Sequence, residues 1–407
     1  MSPRSTGRYE PSVAAGEAVN AFVPSPLPPR DPPIDVALLQ ERLRSAEHAL
    51  ARLDLAGEMV PSVDWLLYAF VRKEAVLSSQ IEGTQASLVD LFSFEAEGGP
   101  PPTSDLEEVS NYLEALAFAR AQLASPRGLP LSVRLLSEAH RRLMRGVRGG
   151  DKAPGSLRRI QNWVGGSRPS NAVFVPPPPN QVGELLAALE RYLHQDDGLP
   201  GLVRAGLIHV QFETIHPYLD GNGRLGRLLI GLALEHWILL RRPLLYLSLF
   251  FKRNRPEYYR RLDAVRSNGD WEGWLDFFLD GVATIAEETV GTIRSLFTVV
   301  ASDRERLLSS DEAGLAALRL FEQLPRHPVV TAATVQRLLE TTKPTAGRAV
   351  EALVAAGILV ETTGKQRDRS YTYQRYLDLL REGTDLNRPP SVAEPTYAEP
   401  VKRRRRR

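Results

Sequence analysis

The chain has 407 residues, of which 43% are hydrophobic and 25% are charged, and its formal net charge is +2. This composition is typical of a soluble globular protein with a sizeable core, and the near-neutral charge by itself indicates no affinity for nucleic acid. The sequence contains no cysteine, which excludes a thiolate zinc site.

The length predicts about two or three domains. No apolar run approaches the roughly 20 residues that a membrane span needs, so we expect no membrane partner. The proline-rich N-terminus lacks the apolar segment of a signal peptide. Together with the lack of cysteine, these features predict a cytoplasmic protein.

Helices dominate the predicted secondary structure. Residues 1–35 are rich in Pro, Ser and Gly and are predicted to be disordered. Apolar periodicity then predicts helices at 38–55, 63–82, 106–123, 133–147, 182–195 and 203–215, with a loop at 98–103. Further helices are predicted at 225–240, 256–267 and 271–296. Two short β segments, at 158–166 and 172–175, are predicted around a Gly-Ser turn region.

From about residue 310 the pattern changes. Three short helices are predicted at 315–323, 331–339 and 343–356, followed by strands at 357–361 and 371–373. This order resembles a winged helix-turn-helix, in which these residues would meet a nucleic-acid backbone: Thr345, Arg348, Lys365, Arg367 and Arg369. Winged helices also bind proteins or pair two chains, and we favour that alternative to DNA contact.

The segment 216–227, HPYLDGNGRLGR, is the most informative part of the sequence. It lies between two apolar stretches and is predicted to be a loop that leads into a helix N-terminus, where free backbone N–H groups and the helix dipole favour a phosphate. Gly221 and Gly223 let the backbone approach a ligand closely. Arg224 and Arg227 are three residues apart, so they share a helix face and are expected to reach toward the same anion.

The same segment contains a candidate general base, His216, and a candidate metal ligand, Asp220. A histidine with an unperturbed pKa of about 6.5 is mostly neutral at pH 7 and can take a proton. Mg²⁺ is commonly held by one or two carboxylates plus substrate phosphates, so a single Asp suffices. Taken singly, a His beside a Pro is usually structural, and Asp-Gly-Asn-Gly is usually an ordinary turn.

In combination, these residues resemble the signature of the Fic (or Fido) family, H-x-F-x-(D/E)-G-N-G-R-x-x-R, with Tyr218 in place of the usual Phe. The resemblance implies a mainly α fold, a Fic-type helical bundle with a small β-hairpin flap, to which the winged-helix domain is added. It implies transfer of AMP from ATP to a hydroxyl side chain (Ser, Thr or Tyr) of a target protein.

The resemblance also assigns roles within the site. His216 would deprotonate the target hydroxyl, and Asp220 would hold Mg²⁺. The nucleotide-binding residues would be Gly221, Asn222, Gly223, Arg224, Leu225, Gly226 and Arg227, with the backbone at the α and β phosphates and the arginines at the β and γ phosphates. Tyr258 lies where the family often places an aromatic against the base, and core packing is the alternative.

A second motif precedes the signature. Ser78 and Glu82 lie at i and i+4 of a predicted helix that stops near Gly83. By itself this pattern indicates a solvated Glu at a helix end, but it resembles the family's inhibitory motif, (S/T)-x-x-x-E-(G/N). If the roles in the family's motif apply here, Glu82 would bind Arg227 and block the γ phosphate, and Ser78 would brace the helix. The segment 158–175 would be the flap that docks the target by main-chain pairing; a surface hairpin is the alternative.

We therefore expect a disordered segment (1–35), an N-terminal helical region with the inhibitory helix (36–104), a Fic core (105–305), a winged-helix domain (310–382) and a disordered basic tail (383–407). The expected partner is a protein target with an accessible hydroxyl side chain, and the winged-helix domain would add a second copy of the chain or, as the alternative, DNA. The alternatives are a nucleotide-sensing DNA-binding regulator, or a Fic relative that removes AMP or acts as a kinase. The unbroken signature favours AMP transfer, because a sensor needs the phosphate cradle but not His216.

Overall fold

The computed structural model describes residues 4–59, 63–147, 149–310, 314–365 and 367–386. These residues form a mainly helical protein with small antiparallel sheets, which confirms the predicted fold class. The helices of the first half are α1 (Gln40–Met59), α2 (Val63–Ile81), α3 (Leu88–Glu97), α4 (Ser104–Ala124), α5 (Val133–Leu143), α6 (Val182–His194), α7 (Gly201–Ile215) and α8 (Asn222–His236). They are followed by α9 (Ser248–Arg253), α10 (Arg255–Asn268), α11 (Trp271–Leu308), α12 (Leu315–Gln323), α13 (Ala332–Leu339), α14 (Lys343–Ala355) and α15 (Gln374–Leu380). None of the helices in these ranges is long and apolar enough to cross a membrane.

The central helix is α7, which is buried along almost its whole length, as expected of a helix that is apolar on every face. It packs against α6, α8 and α11. Gly206 allows the close approach of α11, because a Cβ there would lie 2.8 Å from a methyl group of Leu275. Because the two helices lie so close, the indole N–H of Trp274 donates to the Gly206 carbonyl at 3.0 Å. Since α7 ends at Ile215 and α8 begins at Asn222, the signature loop joins two core helices.

Helix α2 packs against α4, α8 and α9. It ends at Ile81, and Gly83 then takes a positive φ of 98°. Polar side chains near its C-terminal end are fully buried, including Ser78 and Ser79 at 0% exposure. This end of α2 lies at the start of α8, so the helix brings the second sequence motif to the signature.

The prediction of disorder in the N-terminal segment is wrong for residues 4–35, which are ordered. A hairpin of β1 (Gly7–Ala14) and β2 (Glu17–Pro24) pairs in an antiparallel register. Phe22 donates its N–H to the Val175 carbonyl at 2.9 Å, and Arg4 bonds the Glu272 carboxylate at 2.9 Å. These partners are far away along the chain, so the Pro-rich local composition did not indicate them.

The two β segments predicted at 158–166 and 172–175 do not form strands. They are joined by a single antiparallel bridge between Val164 and Phe174. Gly165 and Gly166 follow the bridge with positive φ values of 68° and 73°, and a short 3₁₀ turn, Pro169–Asn171, comes next. These turns redirect the chain before a longer ladder can form.

The C-terminal region contains α12 to α15 and a three-stranded sheet of β3 (Val329–Thr331), β4 (Val360–Glu361) and β5 (Ser370–Thr372) in the order β3-β5-β4. The predicted helices and the last two strands are present, and β3 was not predicted. The winged-helix assignment stays an interpretation of this arrangement. Residues 387–407, which make up most of the predicted basic tail, lie outside the described residues.

The long helix α11 links the C-terminal region to the helical core. It continues to Leu308, beyond the predicted end at residue 296 and three residues past the expected end of the Fic core at residue 305. Asp303 of α11 is completely buried and accepts a hydrogen bond from the Tyr373 hydroxyl at 2.9 Å. It also pairs with Arg306 and Arg375. A buried carboxylate with three donors fixes this region against the end of α11.

Candidate active site

His216 occupies the C-terminal end of α7 in a left-handed conformation, with φ 47° and ψ 60°. Such a conformation is uncommon for a residue other than glycine, and its neighbours hold it. Its N–H binds the Phe212 carbonyl at 3.0 Å, and its carbonyl accepts from Nε of the buried Arg158 at 2.9 Å. Burial, together with the positive charge of Arg158, lowers the pKa of His216 to about 4. The ring is therefore neutral at pH 7 and can accept a proton.

The loop between His216 and α8 is fixed from inside by the Asn222 side chain. Its Oδ1 accepts the Tyr218 N–H, and its Nδ2 donates to the Tyr218 carbonyl, both at 2.9 Å. The Asn222 amide is thus engaged in holding the loop in shape.

His140, which the sequence did not single out, fixes the same loop from α5. Its ring stacks on Tyr218 with a centroid distance of 3.8 Å. Its Nδ1 accepts the Gly155 N–H at 2.9 Å, so the ring proton is on Nε2, which donates to the Asp220 carbonyl at 2.9 Å. Burial lowers the pKa of His140 to about 4, which keeps this neutral tautomer at pH 7. The loop is therefore preorganised.

The Asp220 side chain is about one-third exposed and lies beside a cation. Lys152 Nζ is 2.9 Å from Oδ2, the Gly221 N–H donates to Oδ1 at 2.7 Å, and an Arg224 nitrogen is 4.0 Å away. Burial acts to raise the pKa of Asp220, but the hydrogen bond and charge of Lys152 outweigh it and the pKa is lowered. The carboxylate is thus ionised and suited to a hard cation.

The described residues contain no cluster of three or more His, Cys, Asp or Glu side chains that could hold a metal. A Mg²⁺ ion at Asp220 would take its other ligands from water and a bound phosphate, which is the usual arrangement for this ion. The Asp220 carboxylate is partly exposed and already lies beside the Lys152 ammonium group, so it fits such a cation.

The N-terminus of α8 begins directly after this loop. Gly221 is its N-cap, with a φ of 76°, and the first backbone N–H groups of a helix have no partner within the helix. At Gly223 a Cβ would lie 2.3 Å from Oε1 of Glu82. The Glu82 carboxylate therefore lies directly against the glycine backbone, in the space where the resemblance places phosphates.

Glu82 and Ser78 both contact Arg227, whose guanidinium is buried. Arg227 Nη2 donates to Glu82 Oε1 and to the Ser78 carbonyl, both at 2.8 Å, and its Nε donates to Ser78 Oγ at 3.0 Å. Burial acts to lower the pKa of Arg227, but the Glu82 charge outweighs it and the pKa is raised. The structure thus brings together the three residues of the expected inhibitory contact, and Glu82 is not merely a solvated residue at a helix end.

Arg224 does not share an anion with Arg227. It forms an ion pair of 2.9 Å with Glu108 of α4, and both side chains are only 4% exposed. Glu108 was not identified from the sequence, although it lies on the same helix face as the buried Tyr112 and Ala115. Each signature arginine therefore has its own carboxylate partner in this state.

Leu225, Gly226 and Tyr258 belong to the core rather than to an open site. Leu225 is completely buried, and Tyr258 is 1% exposed. The Gly226 carbonyl accepts from His209 Nδ1 at 3.1 Å, so His209 Nε2 accepts from the Tyr258 hydroxyl at 2.8 Å. This geometry favours the packing alternative for Tyr258 over contact with a base.

Glu213, one turn before His216, is a further, partly buried acid that the sequence did not single out. Burial raises its pKa to about 7, and its Oε1 has no hydrogen-bond partner among the described residues. A Cβ at Gly226 would lie 2.3 Å from that oxygen. The glycine is thus required for the close contact between α7 and α8.

Two adjacent parts of the chain match family models. Residues 40–121 match the model described as Fic/DOC family N-terminal, and residues 130–234 match the model described as Fic/DOC family. The first range contains Ser78 and Glu82, and the second contains the whole signature.

Curated relatives match the same part of the chain. Protein adenylyltransferase fic-1 of Caenorhabditis briggsae is 26% identical over 243 residues, which are 57% of this chain and 44% of that protein. Protein adenylyltransferase Fic of Drosophila grimshawi is 30% identical over 171 residues, which are 41% of this chain and 31% of that protein. The chain thus spans less than half of the length of these relatives.

A solved structure shows the same fold over a larger share of the chain. The crystal structure of a Fic family protein from Desulfovibrio desulfuricans G20 is 20% identical, with a TM-score of 0.54. The match covers 84% of this chain and 97% of that one. From the matched models and the residues of the signature loop, we conclude that the part of the chain at residues 40–121 and 130–234 belongs to the Fic/DOC family.

Proposed function

We propose that this protein transfers AMP from ATP to a Ser, Thr or Tyr hydroxyl of a target protein, and that Glu82 inhibits the transfer in the state described. The observation that carries the proposal is the position of the Glu82 carboxylate. It lies against Gly223 and 2.8 Å from Arg227, at the helix N-terminus that begins after His216 and Asp220. The names of the curated relatives support the same reaction.

His216 is the general base in this mechanism. Its neutral ring takes the proton of the target hydroxyl as the hydroxyl oxygen attacks the α phosphorus of ATP. The bond from the α phosphorus to the bridging oxygen breaks, and pyrophosphate leaves. Arg158, by binding the His216 carbonyl, holds the left-handed backbone that presents the ring.

The backbone of Gly221–Gly223 and the two signature arginines bind the phosphates. Nucleotidyl transfer depends mainly on positioning and charge neutralisation, which backbone N–H groups, the helix dipole and guanidinium groups supply. Asp220 would hold Mg²⁺, which when bound neutralises phosphate charge. Lys152, which pairs with Asp220 in the state described, would compete with the metal for this carboxylate.

Glu82 inhibits the reaction through its negative charge and through the space that its carboxylate occupies. A γ phosphate placed at Arg227 would meet the Glu82 carboxylate, and like charges at contact distance repel. Productive binding therefore requires Glu82 to move away and Arg227 to exchange its partner. Ser78, which accepts from Arg227 Nε, holds the arginine in the inhibited position.

We assign target docking to the loop around the Val164–Phe174 bridge. Arg158, at its start, contacts the carbonyls of both His216 and Pro177, which ties this loop to the base. Ile160 and Val173 are 61% and 71% exposed, so they offer apolar contacts to a target segment. Main-chain pairing is the mode that we propose for it.

For the C-terminal region we propose a protein-interaction role rather than DNA binding. It exposes apolar side chains, including Leu315 at 75% and Val360 at 46%. Sedimentation and a DNA titration at low salt, both on the intact chain, test this assignment. Tight binding of DNA that weakens steeply with salt would contradict it.

The reaction is tested by incubating the Glu82→Gly variant with ATP labelled at either the α or the γ phosphate. Label from the α phosphate should enter protein, and label from the γ phosphate should not. The double variant Glu82→Gly with His216→Ala is the control and should transfer nothing while still binding ATP. Transfer of the γ label would indicate a kinase, and undiminished transfer without His216 would overturn the mechanism.

A further inference from the structure

A cavity of about 380 Å³ lies between α2, α9, α11 and the C-terminal end of α15. Its lining includes Lys73 of α2, Thr289 of α11 and Leu379 of α15. None of the signature residues, and neither Ser78 nor Glu82, is part of that lining. The cavity is therefore separate from the site described above.

Lys73 is the unusual residue of this cavity. Its side chain is buried, with 7% exposure for the whole residue, and no hydrogen bond or ion pair within the described ranges engages its ammonium group. Burial lowers the pKa of Lys73 to about 8. The charges of Glu382 and Glu288 act in the opposite direction, but neither carboxylate contacts the ammonium group. Because a buried charge is stabilised by a direct counter-charge, this position is suited to an anion.

The other polar groups of the lining limit the kind of anion. Arg253 is already bound by Glu288 through contacts of 2.7 and 2.8 Å, so Lys73 is the cation left without a partner in the described lining. Glu288 and the exposed Glu382 add negative charge at the edge, which opposes a polyanion such as a nucleotide. A ligand with a single negative charge fits this balance.

Thr289 and the apolar walls indicate the rest of the ligand. Thr289 is 6% exposed, and its hydroxyl makes no hydrogen bond with another described residue, so it is free to donate. Phe70 and Tyr246, whose rings stack with centroids 6.1 Å apart, line the same space together with Leu249. These side chains can pack against a hydrocarbon body.

We propose that this cavity binds a small organic monocarboxylate. The carboxylate pairs with the Lys73 ammonium and accepts a hydrogen bond from Thr289, while the hydrocarbon part packs against the apolar wall. This assignment is independent of the proposed AMP transfer, because it concerns a different cavity and is tested by binding alone.

The test is calorimetric titration of the intact chain with octanoate, and with 1-octanol as the neutral counterpart. Octanoate should bind saturably to the wild type, and octanol should bind at least several-fold more weakly. Lys73→Met keeps the apolar stem and removes the charge, so octanoate affinity should fall about tenfold or more, since a hydrogen bond to a charged group contributes about 1.5–3 kcal/mol. The exposed Lys343 provides the matched control, Lys343→Met, which should bind like the wild type.

A second variant keeps the test independent of any change in folding at Lys73. Thr289→Val conserves shape and removes only the hydroxyl, so it should weaken octanoate binding several-fold and leave octanol unchanged. Absence of binding to the wild type, or equal octanoate affinity of the wild type and Lys73→Met, would overturn the proposal.

Discussion

Replacing Ser78 by alanine should release part of the inhibition while leaving Glu82 and Arg227 in place. The Ser78 hydroxyl is completely buried and accepts a hydrogen bond from Arg227 Nε at 3.0 Å. Ser78→Ala leaves this charged donor without an acceptor in the inhibited state, at a cost of about 1–3 kcal/mol. In the released state Arg227 faces phosphate, so the cost falls on the inhibited state alone. The equilibrium should then shift toward the released state by roughly 5- to 150-fold.

The assay is incorporation of α-phosphate label from ATP into protein, with Glu82→Gly as the upper limit. Ser79→Ala is the matched control, because Ser79 is equally buried on the same helix and its hydroxyl has no hydrogen-bond partner among the described residues. It should label like the wild type. The reasoning is refuted if Ser78→Ala labels no faster than the wild type, or if Ser79→Ala accelerates labelling equally.

Three further results are expected. Glu108→Gln leaves the buried Arg224 without its counter-charge and should lower the free energy of unfolding by about 3 kcal/mol in urea titrations; a loss below about 1 kcal/mol would argue against a strong pair. By NMR, the His216 ring of the ATP-free protein should stay neutral down to about pH 5, because its pKa is lowered to about 4. This depressed pKa means that the folded state binds fewer protons than the unfolded state, so stability should fall as pH drops below about 6.5. A titration midpoint of the His216 ring near pH 6.5 would contradict the burial of that ring. Lys152→Met removes the cation at Asp220. Both side chains of this pair are about one-third exposed, so the pair is worth about 0.2–1 kcal/mol, and the Mg²⁺ concentration for half-maximal labelling should fall up to about fivefold. An increase would show that Lys152 assists the metal.

The signature loop could be predicted because its determinants are local. Glycines at 221 and 223, with the apolar stretches on either side, indicate a loop that enters a helix, and Gly221 is indeed the N-cap of α8. The contact of Glu82 with Arg227 is not local, since 145 residues separate them. Only the family resemblance suggested this pair, and the packing of α2 against α8 produces it.

The remaining partners depend on tertiary contacts that periodicity does not report. His140, Lys152 and Glu108 are polar residues in ordinary helix or loop sequence, and their functions follow from what the fold places beside them. Similarly, the N-terminal hairpin is held by Val175 and Glu272, which are distant in sequence. A Pro-rich composition predicts disorder where such contacts are not known.

The direct test of the central claim is the initial rate of α-label incorporation by the wild type and by Glu82→Gly at the same ATP and Mg²⁺ concentrations. Glu97→Gly, at the exposed C-terminal end of α3, is the matched control for placing glycine at a helix end. We expect Glu82→Gly to label itself and added protein faster than the wild type, because the carboxylate no longer holds Arg227, and Glu97→Gly to leave the rate unchanged. Equal rates for Glu82→Gly and the wild type would contradict inhibition by Glu82.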